Sequence, residues 1–471
     1  MAHNSGHSRV ATSPRPVPRI RSRRWWLRTV VLLAILVIAA NLFQSESAPK
    51  ALRFGVLGST CDTQRASALW TAGVRLAEVS VQWDKFEPAP GTYDPAYISQ
   101  LNGTIDRCRH AGLTVVLSPG FQDAPQWVSK LPAGAYRNQY GGTGPTRVPN
   151  IIFSAAARQA AADYIAKLNT VIPLSTFGAI RVGTSESGEL GYPGRPYGSD
   201  ASSNNFWAFD TAAQTGKGLA AGATPSPLPG WTPGSTIWHD QSVSPAQVKE
   251  WFSWYARSAA QAVVWQIELF RHYDYRGDFH LPLAGRGALP ADLNSALVAH
   301  LDGTGDRDGS LESGLFYPEQ LADIAAMSSP SHQASSGVVV DVTGLDDATA
   351  VQARRQNPPQ DTCTPGDAGS NLLTNTGVAQ WSTFRWTIAN ARHAGLGVVG
   401  ENPGSPDAPG TGGDPSSDNL AQQMVHAPRY AKQCGLTIMM WAFEDDLFGD
   451  PSGVSVNSYS QQIHQEDGGS P

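Results

Sequence analysis

The chain has 471 residues, of which 41% are hydrophobic and 16% charged, with a formal net charge of −6. Seven of the 34 basic residues and no acidic ones fall in positions 1–28, so the remainder carries 27 basic against 40 acidic residues, a net of −13. That balance excludes a nucleic-acid partner, whose phosphates need a basic face. The four cysteines form no CxxC pair, so neither a zinc cage nor a redox dithiol is indicated, and no metal or other cofactor is expected. A monomer is expected.

Residues 1–24 hold only basic charge and end in Arg19, Arg21, Arg23 and Arg24; an apolar run, Trp25–Phe43, follows, broken by Arg28 and uncharged over Val30–Ala40. A basic n-region before an apolar h-region directs a chain to export. Residues 1–43 are therefore read as a signal peptide or membrane anchor, the latter with Arg28 snorkelling to extend a span otherwise short of about 20 residues. Val37–Ala39 offers a small-residue cleavage site, and Ser22–Arg28 (SRRWWLR) resembles a twin-arginine signal as well as a plain positive-inside flank. Either way the rest of the chain is expected to be extracellular or at the cell surface, touching a membrane only through an uncleaved N-terminal segment. Positions 44–51 read as a linker, 52–458 as one folded unit and 459–471 as a polar, frayed tail.

Beyond the linker, β-branched and apolar runs at Leu52–Gly58, Ala77–Trp83, Leu113–Pro119, Ala179–Gly183, Phe279–Leu283, Gly337–Val342, Gly395–Gly400 and Leu436–Trp441 predict strands. Helical patterns fall between them at Pro95–Ala111, Ala155–Leu168, Ala246–Phe270, Ala291–His300, Pro318–Met327, Val378–Ala394 and Asn419–Cys434. Strict alternation predicts a parallel sheet, and eight strands in a chain of this size predict a closed (β/α)8 TIM barrel, of class α/β. An open doubly wound sheet is the other reading, but no Gly-rich dinucleotide fingerprint follows the first strand. Cys61 and Cys363, both expected on rim loops, are the predicted disulfide; Cys108 and Cys434, at helix ends, read as buried thiols.

In such barrels the loops after the strands form the active-site rim. Glu189, in AIRVGTSESGELGYPG, and Glu401, in LGVVGENPG, fall there after the fourth and seventh strands, each beside glycines that let the backbone turn sharply. Two carboxyl groups at one rim suit glycosidic bond cleavage: one protonates the leaving oxygen, the other attacks the sugar or activates a water. Glu186, three residues earlier, is the competing acid. The loop 191–244 carries Phe206, Trp207, Phe209, Trp231 and Trp238, and at this length reads as a substrate wall or a disordered insertion. In MMWAFEDDLF, Trp441 and Phe443 are expected on the pocket floor, with Glu444 and Asp445 either binding sugar hydroxyls or forming a solvated cluster. His110, His272 and His280 lack metal-ligand spacing and read as ordinary polar histidines.

Several segments resemble those of known glycosidase barrels. VRLAEVSVQWDKFEPAPGTYD is similar to the second-strand segment of many (β/α)8 glycosidases, which implies that Trp83 and Asp84 face the pocket while Glu87 caps the turn. IRVGTSESGELGYP resembles the β-amylase signature ending in GELRYP, with Tyr192 in its YP pair, and GEN in VVGENPG resembles the motif carrying the base of those enzymes. FSWY at Phe252–Tyr255, VDVTGLDD at Val340–Asp347 and DAPQWV at Asp123–Val128 resemble further β-amylase segments. The resemblance spans about Leu52 to Asp450. It implies Glu189 as general acid, Glu401 as general base, Thr343 as an inner-loop threonine that positions the base, and Asp123 as a lid aspartate. It also implies that Trp127 and Asp346 line the substrate site.

The departures are specific. The Gly-rich lid is missing, Ser80 stands where a glucose-binding acid is expected, Trp83 stands alone, and Gly191 replaces the arginine of GELRYP. The fifth-strand lysine is absent, with Arg286 nearby. A kept catalytic pair with altered subsites implies a relative with another carbohydrate substrate. Three readings follow: an inverting hydrolase, a retaining hydrolase of the clan that includes β-galactosidases, and an inactive glycan-binding barrel.

Overall fold

The computed structural model describes residues 51–194, 204–304, 309–328, 337–369, 371–405, 418–449 and 453–467. The proposed export segment lies outside them, as do parts of the loop 191–244. Among the described residues no helix is long and apolar enough to cross a membrane.

Eight parallel strands close into a barrel in chain order: β1 (Arg53–Val56), β2 (Leu76–Ser80), β3 (Thr114–Ser118), β4 (Ala179–Arg181), β5 (Asp278–Leu283), β6 (Val338–Val342), β7 (Gly397–Glu401) and β8 (Ile438–Trp441), with β8 paired back to β1. The helices that follow are α1 (Thr63–Thr71), α2 (Pro95–His110), α3 (Ala155–Val171), α4 (Pro245–His272), α5 (Tyr317–Ser328), α6 (Thr383–His393), α7 (Leu420–Gln433) and α8 (Val456–Asp467). The open-sheet reading is thereby excluded.

Successive residues of each strand point to opposite faces. Val56, Val79, Leu117, Ile180, Leu281, Val340 and Trp441 join the large core under the helices, whereas Leu76, Val116, Ala179, Val399, Ile438 and Met440 form a smaller cluster inside the barrel. Gly55 is required inside, because a β-carbon there would lie 2.3 Å from the Met440 sulfur.

Local signals start the helices. Asp94 caps α2 ahead of Pro95, and Ser244 with Gln247 forms a capping box on α4, which also begins with Pro245. The expected helix Val378–Ala394 is instead a 3-10 turn, Thr376–Gln380, followed by α6, because the Ser382 side chain accepts from Arg385 N and caps a new start. The expected frayed tail contains α8. Tyr459 and Ile463 are buried one turn apart in an otherwise polar segment, and the Tyr459 hydroxyl donates to Gly55 O at 2.9 Å.

The cysteine assignment is corrected on all four residues: Cys61 pairs with Cys108 and Cys363 with Cys434, each with 5.2 Å between Cα atoms. The segment entering α1 lies against α2, where Arg107 Nε also donates to Cys61 O at 2.8 Å.

Candidate active site

Glu189 follows β4 on a turn closed by its own backbone. Thr184 N and Ser185 N donate to Glu189 O at 2.8 and 3.0 Å, and Glu189 N donates to Ser185 Oγ at 3.1 Å. Gly183 makes this closure possible, since a β-carbon on it would meet Gly188 O at 2.0 Å. From behind, Gln266 of α4 accepts from Gly183 N at 3.2 Å and donates to Gly183 O at 2.7 Å. Position 191 has a backbone reason to be glycine: φ is +129° there, and a β-carbon would approach Ser313 O to 2.8 Å.

The Glu189 carboxyl accepts from the Ser187 hydroxyl and lies against the Thr343 hydroxyl, which donates to Leu283 O at 3.0 Å. Burial raises its pKa, the hydroxyls of Ser187 and Thr343 oppose the rise, nearby Glu401 adds to it, and Arg181 opposes it.

Glu401 ends β7 and is buried. Its Oε2 lies 3.0 Å from Arg181 Nη1, and the same nitrogen lies 3.0 Å from Asp341 Oδ2 on β6. Asp341 is wholly buried, Oδ1 has no hydrogen-bond partner among the described residues, and burial first, then Glu401, lifts its pKa to about 8 against the pull of Arg181. Next to Arg181 in the register is His280, buried rather than an ordinary polar histidine; burial, then Arg181 and Arg53, lower its pKa to about 3, so it is neutral. On β2, Glu78 accepts from Gly58 N at 2.8 Å and from Ser80 Oγ at 2.7 Å, close enough to add to the field on Arg181. Asn402 of the GEN motif ties the end of β7 to the loop after β8, accepting from Ala442 N at 2.8 Å.

The structure therefore gathers Glu189, Thr343 and Glu401 with three residues the sequence reading passed over: Arg181, Asp341 and Glu78. A signal was present. Each is a lone charge within a buried parallel strand, and charged side chains are almost never fully buried unless paired.

Other expected site residues lie elsewhere. Trp83 is fully buried, stacked on Tyr164 at 4.8 Å, with its indole N–H on Glu87 at 3.0 Å. Glu87 also accepts from Gly91 N at 2.9 Å and so caps the turn. Tyr192 is buried against Tyr255, with ring centroids 3.9 Å apart, and its hydroxyl donates to Tyr255 O. Trp441 faces the helix layer against Tyr459 because Met440 and Ala442 on either side face inward; Phe443 is the exposed aromatic of that segment.

Asp346 belongs to a separate ion cluster. His426 Nδ1 lies 3.2 Å from Asp346 and 2.7 Å from Asp418, while Arg354 bonds both aspartates. These three side chains, Asp346, Asp418 and His426, are grouped closely enough for a metal ion, but Arg354 already supplies the cation between the two aspartates. Glu444 is sealed beneath the loop after β1, bonded to Ser59 and 3.3 Å from the Thr60 hydroxyl, with Arg65 at 3.4 Å. Asp84 is exposed after β2, near enough to half-buried Asp123 to raise its pKa, although burial is the larger cause and Arg147 at 3.8 Å opposes both. Trp127 is half-buried, edge-on to Trp83 at 6.3 Å.

The aromatic residues of the long loop mostly serve its own packing. Phe206, Phe209 and Trp231 contact Trp251 on α4, at 5.5, 6.3 and 5.3 Å between centroids.

A family model described as Glyco_hydro_42, Beta-galactosidase, matches residues 60–155, a segment that ends before both glutamates. No curated protein matches. Among solved structures, the catalytic domain of β-amylase from Paenibacillus polymyxa aligns over 90% of this chain and 100% of its own, at 15% identity and a TM-score of 0.56. A β-galactosidase from the psychrophilic Marinomonas ef1 aligns over 89% of this chain and 61% of its own, at 11% identity and a TM-score of 0.51; this chain thus spans under two thirds of that enzyme. At these identities the likeness is one of fold, and with the matched segment it makes the chain a (β/α)8 barrel of the glycoside hydrolase type.

Proposed function

We propose that this protein is an exported glycoside hydrolase that cleaves an oligo- or polysaccharide by inversion, with Glu189 as general acid and Glu401 as general base. The observation that carries the reading is the unequal setting of the two carboxyls. Glu401 forms an ion pair with Arg181, while Glu189 lies among hydroxyls with burial as the dominant influence. Two acids whose environments differ in this way divide into proton donor and charged partner. Export is supported by the basic and apolar N-terminal pattern and by two disulfides that use all four cysteines, an arrangement that persists in oxidising compartments.

The retaining reading is favoured by one observation, the β-galactosidase description of the model matching residues 60–155. The experiment that separates the two is a screen of the chain against nitrophenyl glycosides and polysaccharides, with the first-formed anomer followed by proton NMR before mutarotation. Inverted product supports the proposal and retained product replaces it. Sugar binding without turnover leaves an inactive glycan-binding barrel.

A further inference from the structure

We propose that Asp341 is a positioning residue: bonded to the same Arg181 nitrogen as Glu401, it fixes the guanidinium so that Nη1 is presented to Glu401. The inference rests on reading Glu401 as the carboxylate that acts in bond cleavage.

The register sets the layers. Asp341 pairs with Val399, two residues before Glu401, so Asp341 lies one inner layer beneath Glu401 and Thr343. Its side chain is inaccessible, so it reaches a substrate only through what it touches, and what it touches is Arg181. An arginine has a long stem with many rotamers, and a planar head must be held before it can hold anything else. Held by Asp341 from below, the Arg181 head keeps one orientation toward Glu401.

Stability alone is a poor reason for this arrangement. A buried charge cluster with one oxygen unbonded gains little over apolar packing, and Asp341 Oδ1 is such an oxygen. The groups that set its state are Arg181 on β4, Glu189 on the loop after β4 and Glu401 on β7, with neutral His280 on β5 and Glu78 on β2 acting around Arg181. Burial and Glu401 favour the protonated form of Asp341 against the pull of Arg181, and its Oδ2 accepts from Arg181 in that form while the guanidinium charge faces Glu401. An uncharged acceptor of the same shape should therefore replace it, and a side chain without an acceptor should not.

The test uses the full chain and a nitrophenyl glycoside that it turns over, at pH 6.5. Asp341→Ala should lower kcat by up to about 100-fold, the scale of loss when a catalytic group is misplaced, with KM little changed. Asp341→Asn should retain most of the activity. Arg181→Met should lose at least as much as Asp341→Ala, and the double variant should lose no more than Arg181→Met alone, since both single changes remove one shared arrangement. An unchanged kcat in Asp341→Ala overturns the inference. So does a double variant whose losses multiply, or an Asn variant as damaged as Ala. If Asp341→Ala does not fold, Asp341→Val takes its place, filling the space without an acceptor. Glu401→Gln separates the two levels: if it is inactive while Asp341→Ala is normal, only the inference falls, and if it is fully active, the reading of the site falls and the inference with it.

Discussion

Gln266, on the face of α4 turned toward the barrel, clasps Gly183 through both its amide N–H and its carbonyl, and Gly183 lies six residues before Glu189. The side chain is fully buried and supplies the partners for two backbone groups that no water reaches. Gln266→Leu should cost about 2–3 kcal/mol in urea unfolding, the penalty of leaving buried polar groups unbonded. Turnover should fall further than the small loss of folded protein explains, because the turn bearing Glu189 loses its rear support.

Glu189→Gln should abolish cleavage of natural oligosaccharides while sparing substrates whose leaving group needs no proton. The amide keeps the shape but has no acidic proton, and such assistance contributes about 10²–10⁴-fold. Glu401→Gln should reduce turnover on both kinds of substrate with little loss of sugar affinity. Steady-state kinetics on an activated and an unactivated substrate check both; equal losses in Glu189→Gln on the two would point to Glu186 as the acid.

Stability should fall as pH rises through the neutral range. The folded-state pKa of Asp341, about 8, lies above its ordinary 3.8. The folded protein therefore binds that proton more tightly than the unfolded chain, and the stabilisation is full below about pH 4 and lost as pH rises through 8. His280 works in the opposite sense. Its lowered value, about 3 against 6.5, removes stability as pH falls from 6.5 toward 3. Asp346, raised to about 6, and His426, also raised, act in the same direction as Asp341. The difference in melting temperature between wild type and Asp341→Asn isolates Asp341, and it should move in favour of the variant between pH 6.5 and 8.5. A constant difference across that window would show that Asp341 does not titrate there.

Non-reducing peptide mapping should recover Cys61 with Cys108 and Cys363 with Cys434. The bridges span sequence separations of 47 and 71 residues, so each should contribute about 4 kcal/mol through the unfolded chain in the loop-entropy account. Replacing Cys363 and Cys434 together by Ser should lower the melting temperature without changing kcat on folded protein. Equal stability with and without reductant would contradict this.

The strands were legible because each is a short apolar run bounded by turn residues, and the two glutamates because glycines flank them at strand ends. Facing was not. In MMWAF every residue is apolar, and a strand buried on both sides carries no polar alternation to say which face is which. The motif alone therefore points Trp441 at the cavity, whereas it belongs under the helices. Trp83 and Tyr192 went astray differently: their motif neighbours suggested sugar contact, while the aromatic partners that bury them, Tyr164 and Tyr255, lie about 80 and 60 residues away. Cysteine connectivity depends on which helices become neighbours, which spacing alone does not determine. Arg181 stands in IRVGTSESGELGYP and Asp341 in VDVTGLDD, yet their pairing spans 160 residues and becomes visible only when β4 and β6 share one interior.

The last barrel seam joins Arg53–Val56 to Ile438–Trp441, and Tyr459 then reaches back to Gly55. The first strand thus waits for the chain out to Trp441 to emerge before it gains its second neighbour. Until then β1 keeps an open edge, the kind of surface that recruits stray strands. A nascent or prematurely terminated chain lacking residues 438–467 cannot close the ring, so completing synthesis, and for an exported chain completing its passage, becomes a condition for escaping aggregation.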